Sequence, residues 1–111
     1  MEAAYDDGRI ALDEDGVTLR RYDLLLRTRR IPYSSIARAS ERAMDGWWRW
    51  RLWGTNDLKI WLGWDPSRRH KDRMIVLDTT SGGMRVGLTP DDHEAVVEIL
   101  ARRVGRVGRD A

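Results

Sequence analysis

Apolar and polar positions alternate over most of the first ninety residues, and a period of two is the mark of half-buried strands. Arg9-Ile10-Ala11-Leu12-Asp13 alternates and runs into the turn signal Asp13-Glu14-Asp15-Gly16. Val17 to Tyr22 resumes with β-branched residues, so the two runs predict a hairpin. Leu26 to Ile31 predicts another short strand, ended by Pro32, which has no amide proton to give to a ladder. Tyr33-Ser34-Ser35-Ile36 reads as a tight turn into a strand near residues 36–43. Met74-Ile75-Val76-Leu77 is apolar at every position and predicts a strand buried on both faces. Ser81-Gly82-Gly83 turns the chain, and Met84 to Leu88 alternates again.

The period then lengthens. Val96, Val97, Leu100, Ala101 and Val104 share one helical face, predicting an amphipathic helix over about 90–104. Thr89 can cap it, Pro90 suits the first position, Arg102 and Arg103 suit the last turn, and Gly105 stops it. The pattern is seven or eight strands over about 9–88 and one C-terminal helix, in a single domain spanning 1–111.

All six tryptophans lie between Trp47 and Trp64. The alternation there predicts a hairpin with arms near 47–54 and 58–64, and parity decides which face is inward. A three-residue loop, Thr55-Asn56-Asp57, puts Trp48, Trp50, Leu52, Leu58, Ile60, Leu62 and Trp64 on one wholly apolar face. A two-residue loop would mix arginines with aliphatics. Burying a large apolar side chain is worth about 1.5–3 kcal/mol and an unpaired buried charge costs several, so the odd loop wins. Trp48, Trp50 and Trp64 are then core. Trp47, Arg49, Arg51, Trp53, Lys59 and Trp61 point outward, with Arg51 opposite Trp61 and Lys59 opposite Trp53. Those cations either roof the rings through cation–π contacts or form an adhesive face for a partner.

Composition sharpens this picture. Cysteine is absent, which excludes disulfides, thiolate zinc sites and cysteine nucleophiles. No apolar run approaches the roughly 20 residues that cross a bilayer, and the acidic start of the chain lacks an apolar signal core, so a cytoplasmic setting is expected. Residues 1–15 hold six acids and one base, while Arg68, Arg69, Lys71 and Arg73 form the densest basic segment. That segment is a solvated loop or a site for an anion. His70 and His93 meet no nucleophile or metal-binding pattern, so neither enzyme, metal nor cofactor is expected. Near-balanced charge and the acidic first segment argue against a nucleic acid.

Arg29-Arg30-Ile31-Pro32-Tyr33-Ser34-Ser35-Ile36, Arg49-Trp50-Arg51-Leu52-Trp53-Gly54-Thr55, Asp65-Pro66-Ser67-Arg68 with Lys71, and Leu88-Thr89-Pro90-Asp91-Asp92 resemble bacterial pleckstrin-homology-like (PH-like) domain proteins. The resemblance implies two packed antiparallel sheets in a β barrel, with the C-terminal helix plugging one open end. It also places Asp65 and Arg68 together, where pairing would rigidify their loop. Phosphoinositide-binding members carry basic residues around the first strand–strand loop; here that loop holds three acids, which would repel a phosphorylated headgroup. The expected function is therefore a non-catalytic interaction module that binds a protein partner or itself through the outward tryptophan face. The alternative is electrostatic binding of anionic lipid or phosphate by Arg68, Arg69, Lys71 and Arg73, with the protein peripheral to a membrane.

Overall fold

A computed structural model of the chain describes residues 4–23, 25–44, 46–51, 53–55, 57 and 59–110, with residues 46 and 47 described by backbone alone. The first sheet is an antiparallel meander of β1 (Tyr5–Asp6), β2 (Ile10–Leu12), β3 (Gly16–Leu19) and β4 (Arg29–Pro32). The Asp13 carboxylate makes the β2–β3 turn by accepting from the amides of Asp15 at 2.8 Å and Gly16 at 3.1 Å. Gly16 is required there, because a Cβ would overlap the carbonyl oxygen of Ile31 on β4. Pro32 is tolerated because β4 is an edge strand.

A single 3-10 turn, Tyr33–Ser35, leads into β5 (Ile36–Ala43) of the second sheet. Its strands are β6 (Ile60–Leu62), β7 (Arg73–Thr79), β8 (Arg85–Leu88) and β9 (Gly108–Arg109), in the order β6-β8-β7-β5-β9. Two packed sheets and a C-terminal helix are thus present. The second sheet is mixed rather than antiparallel: β6 runs parallel to β8, and β9 parallel to β5. The two sheets do not close into a barrel.

β7 is central, and Met74, Ile75, Val76 and Leu77 are all fully buried, as its unbroken apolar run requires. Ile75 and Leu77 face the main core, where they meet Leu12, Val17 and Ile31 of the first sheet. Met74 and Val76 face the other way, into a second cluster with Ile60, Leu62, Met44 and Trp48.

The C-terminal helix, His93–Arg103, contributes Val96, Ile99 and Leu100 to the main core. It begins at 93 rather than 90, and its cap is Asp92, whose carboxylate accepts from the Ala95 amide at 3.1 Å. Thr89 is buried and bonded elsewhere. Ala101, assigned to the inward face from the sequence, is exposed, and Ile99 takes that role.

The largest departure is the tryptophan hairpin. Gly46–Trp50 is a short helix, α1 before the C-terminal α2, and its Trp48 packs on the outer face of the second sheet. β5 loses its partner where β7 begins, at the Ala43–Arg73 pair, and the chain folds over that apolar face instead of extending. Among the described residues one bridge joins the two intended arms, Gly54 with Leu62, whereas a three-residue loop 55–57 sets Gly54 opposite Leu58, four residues earlier. That even shift keeps the parity of the second arm: Ile60 and Leu62 are fully buried, while Trp61 is half-buried. Trp50, expected in the core, is 66% exposed, and Trp64 is only half-buried. Leu52 and Leu58 lie outside the described residues. No helix among the described residues is long and apolar enough to cross a membrane.

Candidate interaction surface

The chain passes from β3 to β4 through a loop whose described residues are 20–23 and 25–28. The Asp23 side chain organises it, accepting from the amides of Leu25 at 2.9 Å and Arg27 at 3.0 Å, while its carbonyl accepts from the Leu26 amide at 2.9 Å. These bonds hold Leu25 72% exposed and Leu26 55% exposed at the apex. Leu26 has φ +58° and Arg21 φ +52°, a left-handed conformation that bulky residues seldom adopt. Such strain persists only where the surroundings impose it.

At Leu26 the Asp23 turn imposes it, and tryptophans brace the Arg21–Tyr22 end of the loop. Trp53 and Trp61 both donate their indole N–H to the Tyr22 carbonyl, at 3.1 and 2.7 Å. The Trp64 amide donates to the Arg21 carbonyl at 3.2 Å, and Trp53 meets Trp64 edge-on, with ring centres 6.5 Å apart. Two grooves flank the apex. One, about 540 Å³, runs between Tyr22, Leu25, Trp61 and Met84 with Asp23, Arg27 and Arg29 at its sides; the other, about 440 Å³, lies between Leu26, Trp53 and Trp64 with Arg21 beside them.

The six residues expected to form one outward face are divided. Trp53 and Trp61 are half-buried anchors of the loop, so their polar edges are already used. Arg49 is exposed and donates to the Arg69 carbonyl at 2.9 Å. Arg51 is half-buried and donates to the Trp53 carbonyl at 3.3 Å, and Lys59 is exposed. The side chain of Trp47 lies outside the described residues. Among the described residues, the cations that sit over rings are Arg42 above Trp48 and Arg29 above Tyr22, at 5.5 and 5.2 Å.

The basic segment is not one anion site either. Arg68 is 2% exposed and acts as a structural clamp. It donates to the carbonyls of Arg51 and Gly63, both at 2.7 Å, and to the Thr89 hydroxyl at 3.1 Å. That hydroxyl donates in turn to Asp65 at 2.7 Å, so threonine mediates the expected Asp65–Arg68 contact. The direct cationic partners of Asp65 are Lys71 at 2.8 Å and Arg9 at 3.5 Å. Burial would raise the Asp65 pKa, but hydrogen bonds from Lys71, Ser67 and Thr89 outweigh it and bring the value down to about 2. Burial pushes Arg68 down to about 10, against the pull of the Asp65 charge, so it stays cationic at neutral pH. Lys71 also reaches Asp91 at 2.9 Å, and Arg73 reaches Glu94 at 2.8 Å. Arg69 is exposed, with its Nε 3.4 Å from His70 Nε2.

Among the described residues, one set of possible metal ligands converges across elements: Glu41, His93 and Glu94 bring ligand atoms within 4.8 Å of one another. The Arg73 guanidinium lies against both carboxylates, at 3.6 Å from Glu41 and 2.8 Å from Glu94, and His93 bonds Glu41 at 2.7 Å, so these groups already partner one another.

No protein-family model, curated protein or solved structure matches the chain.

The surface gathered by the tryptophans was missed in the sequence, although a signal was there. Leu24-Leu25-Leu26 lies between Arg20-Arg21 and Arg27-Thr28-Arg29, an apolar triplet in a basic, turn-length segment. Reading Leu26 as the start of a strand concealed it.

Proposed function

We propose that the protein is a non-catalytic, PH-like interaction module whose contact surface is the Leu25–Leu26 apex and its two flanking grooves. The observation that carries this reading is the apex itself. Two large aliphatic side chains are held in water, one of them in a left-handed conformation, by the Asp23 turn, and the neighbouring Tyr22 carbonyl is tied to Trp53 and Trp61. Leaving them exposed forgoes much of the roughly 1.5–3 kcal/mol that full burial gives a leucine, and an exposed apolar patch with a polar rim suits contact with something else. The main polar cluster, by contrast, is closed on itself. Arg68, Asp65 and Thr89 bond one another or nearby carbonyls, beside a cavity of about 20 Å³, room for about one water.

A photo-crosslinking residue placed at Leu25 in living cells tests the reading, with one at the exposed Arg102 of α2 as reference. Adducts of any class, lipid or protein, are expected from position 25 and not from position 102. Equal adduct yields at both positions, or none at 25, would refute it.

A further inference from the structure

The nature of the contact follows from how charge and apolarity are arranged on the apex, an inference that rests on the interaction reading above. Arg20, Arg21, Arg27 and Arg29 lie within the loop or at its ends. Asp6 neutralises Arg20 at 2.9 Å, and Asp23 neutralises Arg27 at 2.7 Å. Arg29 lies over the Tyr22 ring and donates to its hydroxyl, and Arg21 is exposed; neither has an acidic partner among the described residues. Four arginines against two carboxylates leave a collar of +2. A second copy would present the same positive collar, so self-pairing through this surface is opposed by charge. The partner is anionic.

Juxtaposition then selects among anionic partners. Leu25 is exposed beside Arg27 and Arg29, which line one groove with it, and Leu26 is exposed beside Arg21, which lines the other. Exposed apolar side chains flanked by cations suit a leaflet, where acyl chains lie beneath phosphates. Backbone amides carried into such a boundary must already be satisfied. Here the amides of Leu25, Leu26 and Arg27 all bond within the turn, to Asp23. Asp23 is itself paired with Arg27, so no free carboxylate is carried inward. The grooves beside the apex add Trp61, Trp53 and Met84, side chains suited to a boundary with an apolar side and a wet side.

We propose that the 20–29 loop docks the protein reversibly on anionic membrane surfaces. Leu25 and Leu26 enter the acyl boundary, and Arg21 and Arg29 meet headgroup phosphates without selecting a particular headgroup.

The test is co-sedimentation with phosphatidylcholine vesicles, with and without phosphatidylglycerol, at low and high salt. Three proteins are compared: the native chain, Leu25→Ser with Leu26→Asn, and Arg21→Glu. Asparagine accepts a left-handed backbone, so the double variant keeps the loop, and a thermal melt verifies its fold. The native chain should bind the anionic vesicles and release them as salt rises. Each variant should lose at least about tenfold in partitioning with a midpoint no lower than native. Absent binding by the native chain, or equal binding by the double variant, overturns the proposal. If vesicles fail while position 25 still crosslinks to an acidic protein or a second copy, the membrane inference falls and the interaction reading stands. If position 25 also yields no adduct, both fall.

Discussion

The indole N–H of Trp61 donates to the carbonyl of Tyr22 across 2.7 Å, joining β6 to a loop 39 residues earlier in the chain. Trp53 donates to the same oxygen at 3.1 Å. The tryptophans are therefore supports, and what they support is a pair of exposed leucines.

Removing one support should loosen the loop without unfolding the core. Trp61→Phe keeps most of the ring and deletes its donor, at a cost of about 1 kcal/mol, since Trp53 still serves the carbonyl. Trp53→Phe with Trp61→Phe leaves that oxygen without either indole donor and should cost more than the sum of the singles. Hydrogen exchange at the Leu25 and Leu26 amides should quicken in the same order, while β7 amides keep their protection. Unchanged exchange at the loop in the double variant would show that the indoles do not hold it.

Leu26 carries strain that can be relieved. A left-handed backbone costs an ordinary L-residue about 1–2 kcal/mol, and asparagine bears it more readily. Leu26→Asn alone should raise the thermal midpoint, because an exposed leucine forfeits little packing. A lowered midpoint would mean that Leu26 packs more tightly than its 55% exposure implies.

Arg68 should be among the most costly residues to replace. Arg68→Met strips donors from two carbonyls and from the Thr89 hydroxyl, with an expected loss of about 3–5 kcal/mol in urea denaturation. Arg68→Lys should recover little, because one ammonium cannot span three acceptors set out for a planar fork. Near-native stability of the lysine variant would contradict this clamp.

Asp65 makes stability depend on acidity with a definite sign. Its folded pKa of about 2 lies below the ordinary 3.8, so the unfolded chain takes up the proton more readily. The contribution, about 2 kcal/mol, is complete above about pH 5 and is lost as pH falls through 3.8 towards about 2. Urea midpoints measured across that range should decline, and Asp65→Asn should flatten the decline while lowering stability at neutral pH.

The parts of the fold visible in the sequence are those where one physical demand dominates. β7 is apolar at four successive positions, and nothing but a strand covered on both faces satisfies that run. The helical period of 96–104 was equally plain, yet its start was misplaced. Thr89 and Asp92 are both good capping residues, and the choice was made by Asp65 and Arg68, which bury the threonine. At 47–54 two periods compete. Parity places Trp48 and Trp50 on one face of a strand, whereas a helix turns them about 200° apart. Burial of Trp48 against Met74 and Val76 on a distant strand decided for the helix and left Trp50 in water. At 20–28 strand patterning from either side runs into the loop, through Tyr22 and from Leu26, whereas the strands end at Leu19 and resume at Arg29, and support for the loop comes from residues 53–64.

The chain has no cysteine, so a single Leu25→Cys or Trp50→Cys change gives one unique thiol for a polarity-sensitive dye. Each labelled protein is mixed with vesicles containing phosphatidylglycerol. The account predicts a blue shift from the dye at position 25, reversed by salt, and none from the dye at 50, although Trp50 is also widely exposed, at 66%. A shift at 50 with none at 25 would contradict it.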